Sequence, residues 1–226
     1  MPGKFDKNYT EKGYLMNYEK FPCPQPLKNR VLQFYIELQD IEPKIWRRIL
    51  VPPEYNFWDL HTAIQNAMGW TDSHLHDFEI KGKRKKKTVQ IGIPDLYGTG
   101  ELSEVFPGWE VPVAEHFNDL GVTANYLYDY GDHWMHTVCL EGYLVRDKKQ
   151  KYPVCLDGAR ACPPEDCGGT YGYQQVLEIL SDPDHEEHEE MKSWLGGDYD
   201  PENFNKEQVV FQQPYYRWLQ AFMNYR

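Results

Sequence analysis

The 226-residue sequence contains no long hydrophobic run, and no window approaches the roughly 18 consecutive apolar residues of a membrane-spanning helix. Residues 1–29 also lack an apolar stretch of the kind that forms a signal peptide. Cysteine is scarce, and the count of five is odd, so a fully paired disulfide framework is not indicated. We therefore expect a cytoplasmic protein in a reducing compartment, with no membrane partner.

Positive charge is in short supply as well. The net charge of −11 and the pI near 5.2 argue against a general phosphate-binding surface, so nucleic acid is not the expected partner. One basic run, residues 81–87, interrupts this pattern, and we interpret it as a solvated hairpin loop. The alternative is a local phosphate contact through Lys83, Arg84, Lys85, Lys86 and Lys87.

Several common catalytic motifs are absent. The sequence has no P-loop, no dinucleotide-binding glycine fingerprint and no nucleophile elbow. The segment from His185 to His188 has one residue between Glu186 and the second histidine, where the metalloprotease motif requires two. These absences exclude the nucleotide-binding and hydrolase classes that those motifs mark.

Alternation of apolar and polar residues predicts several strands. Residues 31–38 and 45–51 both alternate and should pair as antiparallel neighbours. Further strand-like segments lie at 74–80 and 88–93, and two more flank a predicted hairpin turn at Gly131 and Asp132. The second strand of that hairpin should run to Val145, turn through 146–150 and pair with 152–155.

Helical spacing is clearest over residues 57–68, where Asn56 is a suitable N-cap and Gly69 a suitable terminator. We also predict helices over 174–180, over 184–195 and within the last twenty residues. The fold class is thus α+β, an antiparallel sheet built from hairpins with helices packed on one face, plus a Cys-rich loop. One domain should span 30–205, between a polar tail at 1–29 and a C-terminal packing helix within 206–226.

The Cys-rich loop occupies residues 152–169 and is dense in Gly, Pro and Asp. Fixing the backbone of this loop costs about 1–2 kcal/mol per residue, and the loop has few large apolar groups to bury. We therefore expect a cross-link, such as a metal ion or a disulfide, to hold its conformation. Cys155, Cys162 and Cys167 could supply three thiolates of a closed, structural zinc site. The predicted pairing of 134–145 with 152–155 places His136 opposite Arg160, as the fourth ligand. Free structural cysteines and a disulfide between two of them are the alternatives.

A second constellation of titratable side chains lies on two predicted strands and their turn. His74 and His76 share one strand face, while Asp129, Asp132 and His133 surround the predicted hairpin turn. Such residues could form a metal or general acid–base cluster in which an aspartate orients a histidine. The competing interpretation is that Asp132 simply makes the turn and the histidines pack beside Trp134.

Four segments, 45–52, 69–76, 128–134 and 155–169, together resemble the open-reading-frame-3 family of the Ri plasmid, also labelled a TnpR-like passenger protein of an insertion element. The resemblance covers about residues 31–204. It implies an α+β fold, a prokaryotic origin and an occasional link to mobile DNA, in a family without an established biochemical function. The TnpR-like label suggests a resolvase. The scarce serine, scattered arginine and acidic net charge of this sequence do not fit that class.

The function we expect is therefore a non-enzymatic binding module with a zinc-held loop, which meets an unidentified protein partner through an aromatic groove or an acidic helix. The alternative is a metal-dependent hydrolase or nuclease that uses the histidines and aspartates of the second constellation, together with His136.

Overall fold

The computed structural model of the protein describes residues 18–81, 88–94 and 105–223. The candidate phosphate contacts from Lys83 to Lys87 lie outside these residues. No helix within the described ranges is both long enough and apolar enough to cross a membrane.

The described strands form one eight-stranded sheet. Its order is β5-β4-β3-β6-β7-β1-β2-β8, and every neighbouring pair is antiparallel except β4 and β5. The α+β class with an antiparallel sheet is thereby confirmed. The strands are β1 (Arg30–Leu38), β2 (Trp46–Val51), β3 (His76–Lys81), β4 (Thr88–Gly92), β5 (Val105–Pro107), β6 (Thr123–Tyr128), β7 (Trp134–Val145) and β8 (Val154–Ala159).

Five α-helices and three short 3-10 turns accompany the sheet within the described ranges. The helices are α1 (Phe57–Met68), α2 (Val113–His116), α3 (Gly169–Ser181), α4 (His188–Trp194) and α5 (Pro214–Phe222), and the 3-10 turns are Gln25–Leu27, Gly108–Glu110 and Lys206–Gln208. Helix α3 starts five residues before the predicted 174, and α4 starts four residues after the predicted 184.

Helix α1 has the bounds that its sequence predicts. Asn56 and Asp59 form a reciprocal capping box at its start, and Gly69 ends it at φ +102°, a conformation that favours glycine. Its residues are buried almost throughout, because the helix lies between the main core on the sheet and a second cluster of Trp58, Trp109 and Trp218. The last of these belongs to α5, which thus covers the outer side of α1.

The predicted hairpin between β7 and β8 is wrong. Strand β7 pairs with β6 on one edge and with β1 on the other, so neither edge is left for β8. Strand β8 instead pairs with β2, where Ala159 lies opposite Trp46. His136 consequently lies between Leu38 and Tyr126 and not opposite Arg160.

Candidate functional site

The loop after β8 is held by side-chain hydrogen bonds from the body of the protein, of which those of Arg47 are the most numerous. Arg47 points inward from β2 and is 1% exposed. Its guanidinium donates to four backbone carbonyls, those of Trp46, Ala67, Ala159 and Arg160, at 2.8–2.9 Å. Phe204 covers the guanidinium with its ring centroid at 3.9 Å. One buried arginine therefore joins β2, the end of α1 and the start of the loop.

Other donors fasten the remainder of the same loop. The indole nitrogen of Trp70 donates to the carbonyl of Pro163 at 2.9 Å, and the hydroxyl of Tyr199 donates to that of Cys162 at 2.9 Å. Glu165 accepts from the hydroxyls of Thr71 and Tyr128. These bonds fix the loop against the segment that follows α1, the end of β6 and the chain after α4.

The three cysteines of the predicted zinc site all pack against the main core. Burial raises the pKa of Cys162, and it raises the pKa of Cys167 to about 12, so both thiols hold their protons at neutral pH. A metal ion would have to displace those protons. Nδ1 of His136 lies 3.1 Å from the Trp134 carbonyl oxygen, while its buried Nε2 has no hydrogen-bond partner within the described ranges.

Among the described residues, two groups of three side chains bring potential metal-ligand atoms within 4.8 Å of one another, and both lie in the histidine–aspartate region. One is His61, Asp72 and His76, and the other is His74, Asp129 and Asp166. The cysteines belong to neither group.

The group of His74, Asp129 and Asp166 is open to solvent on one side, and its residues come from three separate segments. Nε2 of His74 lies 3.6 Å from Oδ2 of Asp129 and 3.0 Å from Oδ1 of Asp166. That nitrogen is buried, yet it makes no hydrogen bond of acceptable geometry. Asp129 uses its other oxygen to accept from the backbone N–H of Gly131 at 2.9 Å, which leaves Oδ2 turned to the histidine. The side chain of Asp166 is 69% exposed, so one side of the group faces solvent.

One of these separations suits a bound cation. Two ligand atoms that each lie about 2.0–2.2 Å from one tetrahedral ion are roughly 3.3–3.6 Å apart. The distance from His74 to Asp129 lies in that range, whereas the 3.0 Å to Asp166 is shorter and is that of a direct imidazole–carboxylate contact. One imidazole and two carboxylates also form a donor set that divalent zinc or manganese accepts. We call the set of His74, Asp129 and Asp166 the open triad.

In the group of His61, Asp72 and His76, internal contacts engage His61 and Asp72, whereas the buried Nδ1 of His76 has no hydrogen-bond partner among the described residues. His61 contacts Asp72 through Nε2 at 2.5 Å and the Tyr126 hydroxyl through Nδ1 at 2.8 Å. The other oxygen of Asp72 lies 3.2 Å from Arg217 of α5. His76 stacks on His61 with ring centroids 3.4 Å apart. Burial is the main cause that holds the pKa of His76 well below its usual range, and the neighbouring His61 lowers it further.

This buried network positions the open triad. Asp72 adopts φ 62°, a left-handed conformation that is uncommon outside glycine, and its backbone N–H donates to Gln65 of α1 at 3.1 Å. Because Asp72 is fixed from both sides, the short segment up to His74 cannot swing away from the sheet.

The remaining residues of the predicted histidine–aspartate cluster lie elsewhere. His76 belongs to the buried network, and His133 is exposed. Asp132 accepts from the backbone N–H of Gly168 at 3.0 Å, which ties the β6–β7 turn to the start of α3. Sequence reasoning therefore identified His74 and Asp129 of the triad and missed Asp166.

The junction between the loop and α3 requires glycine at position 172. A Cβ built there would lie 1.8 Å from the carbonyl oxygen of Cys167, so the backbone would have to move. We expect Gly172→Ala to lower the free energy of unfolding by about 1–3 kcal/mol in urea titrations. The control is Gly142→Ala in β7, where the nearest atom is 3.7 Å away. Equal behaviour of the two variants would contradict the expected clash.

Comparisons with known proteins agree with this architecture. The family model described as "Plasmid pRiA4b ORF-3-like protein" matches residues 30–208. The uncharacterized protein y4hQ of Sinorhizobium fredii is 36% identical over 182 residues, which are 79% of this chain and 88% of that protein. The crystal structure of a protein of unknown function, MM3350 from Methanosarcina mazei Go1, is similar with a TM-score of 0.71 and 39% identity, covering 80% of this chain and 98% of that one.

Proposed function

The chain belongs to the plasmid pRiA4b ORF-3-like family, and we propose that within this family fold it binds a divalent metal ion at the open triad and uses that ion in hydrolysis. The observation that supports the proposal is the buried Nε2 of His74, which lies 3.0–3.6 Å from carboxylate oxygens of two other segments but makes no hydrogen bond of acceptable geometry among the described residues. A buried polar atom without a well-formed hydrogen bond is costly unless it gains a partner.

The triad supplies three protein ligands and has a solvent-facing side. Three ligands with an open position are the arrangement of catalytic zinc sites, whereas structural sites have four protein ligands. When bound, such an ion lowers the pKa of a coordinated water and polarises a carbonyl or phosphoryl oxygen. The protein's own residues would orient the ligands: the backbone N–H of Gly131 holds Asp129, and the hydroxyls of Thr71 and Tyr128 hold Glu165, the neighbour of Asp166.

The test is elemental analysis of protein purified without added metal or chelator, followed by zinc titration of the chelator-treated protein. We expect about one ion per chain. His74→Ala and Asp129→Asn should each weaken zinc binding at least about 100-fold, because even loss of an outer-shell partner costs 10–100-fold. Asp132→Asn is the matched control, since Asp132 lies near the same turn but outside the triad, and it should retain the ion.

Hydrolysis is assayed separately, with bis(p-nitrophenyl) phosphate and with single-stranded DNA as probes of phosphodiester cleavage. Activity that depends on zinc or manganese and is lost in His74→Ala, but not in Asp132→Asn, would support the hydrolase. A bound ion without turnover on either probe would reject the phosphodiesterase form of the proposal and leave the metal site intact.

The second candidate is the binding module with a structural zinc ion on Cys155, Cys162, Cys167 and His136. One observation favours it, namely the buried Nε2 of His136 without a hydrogen-bond partner. The same elemental analysis separates the candidates, because Cys162→Ser removes the ion in this case and leaves it in the first. A role on mobile DNA is a further prediction of the family resemblance.

A further inference from the structure

A groove of about 460 Å³ lies between α3 and α4. Its apolar lining comes from Val176 and Ile179 of α3 and from Met191 and Trp194 of α4. Nδ1 of His188 lies 3.0 Å from the Ile179 carbonyl oxygen and holds the two helices together. Trp194 is 51% exposed, so a large aromatic surface stands uncovered beside the groove.

The polar lining of the groove is acidic. It includes the carboxylates of Asp166, Glu178 and Glu187, and none of the described residues that line it is a lysine or arginine. In the described part of the chain, Glu178 and Glu187 form no ion pair. Lys192 of α4 pairs instead with Asp198, at 2.9 Å.

We propose that this groove binds a basic peptide segment, with lysine or arginine side chains laid along its apolar floor and their charges at its acidic rim. Both side chains combine a long hydrocarbon stem with a terminal cation, which is the complement of this lining. An exposed indole adds a cation–π surface, and methionine adapts to side chains of different shape. The net charge of −11 attracts such a ligand at longer range.

Binding of a basic peptide in this groove is a separate function from the proposed metal-dependent hydrolysis and does not depend on it. Asp166 lines the groove and also belongs to the open triad, so a bound segment would end beside that triad. The basic peptide should nevertheless bind in EDTA, which would remove any ion from the triad.

The experiment is fluorescence anisotropy with a short labelled peptide in which arginine and leucine alternate, compared with a peptide of glutamate and leucine. We expect only the arginine peptide to bind. The double variant Glu178→Gln, Glu187→Gln should weaken it about tenfold, or roughly 1.4 kcal/mol, and Trp194→Ala should weaken it as well. The control variant Glu189→Gln, Glu190→Gln carries the same charge change on α4 outside the groove and should bind within about twofold of the parent.

Three results would overturn the proposal. They are equal affinity for the two peptides, equal weakening in the groove and control variants, and loss of peptide binding in EDTA. Sedimentation velocity provides the last check, because a dimer of the parent protein that dissociates in the Glu178→Gln, Glu187→Gln variant would show that a second copy of this chain occupies the groove.

Discussion

Replacing Arg47 with methionine should lower the free energy of unfolding by about 3–5 kcal/mol, measured by urea titration, because it breaks a buried hydrogen-bond network. Methionine keeps an unbranched side chain but donates no hydrogen bond. Four carbonyl oxygens would lose the donor that they now share, and a buried acceptor without a partner costs about 1–3 kcal/mol. The loop after β8 would lose its attachment to α1, so Cys162 should become reactive to thiol reagents before global unfolding.

The neighbouring arginine provides the control. Arg48 lies on the same strand but points outward, where it pairs with Glu141 at 2.7 Å and its side chain is 29% exposed. A surface ion pair of this kind contributes less than about 1 kcal/mol. Arg48→Met should therefore be nearly neutral. Equal losses in the two variants would show that the carbonyl contacts of Arg47 contribute little.

The composition of the Cys-rich loop predicted that additional interactions must hold it, but it did not predict that a buried arginine would supply them. Alternation places Arg47 on the same strand face as Ile45 and Ile49, but a charged residue is almost never fully buried unless it is paired, so its residue type alone predicts exposure. Its burial depends on carbonyls that come from α1 and from the loop, over a hundred residues away for Arg160. Zinc on the cysteines stays a prediction beside this observed network.

Local patterns predicted most of the strands and α1, but not β5 (Val105–Pro107), because alternation and capping act over a few residues. The sheet order was not predictable in the same way, since the pairing of β2 with β8 rather than β7 with β8 is a long-range choice. The open triad likewise combines residues that local patterns could group with one that depends on long-range contacts. His74 and Asp129 stand in adjacent strand-like segments and could be grouped, but Asp166 reaches them only because Glu165 is held by Thr71 and Tyr128.

The pH dependence of stability should carry a large contribution from His136. Burial lowers the pKa of His136 from 6.5 to about 4 in the folded protein, so the unfolded chain binds the proton first as the pH falls. The stabilising contribution is complete above pH 6.5 and is lost as the pH falls towards 4, by about 3 kcal/mol. Asp59 acts in the opposite direction, because burial raises its pKa to about 6 and its protonation favours the folded state.

The contributions of His136 and Asp59 to the pH dependence of stability are separated by comparing variants, because the pH profile of the parent protein contains both. In EDTA, the stability advantage of the parent over His136→Asn should shrink by about 3 kcal/mol between pH 7 and pH 4, while the exposed His133→Asn supplies the baseline. A constant advantage would show that His136 does not resist protonation. Repeating the series with zinc distinguishes the two metal sites, because an ion held by His136 and the cysteines would stabilise the parent and His133→Asn but not His136→Asn. Zinc bound at the open triad would stabilise all three, since none of these substitutions removes a triad ligand.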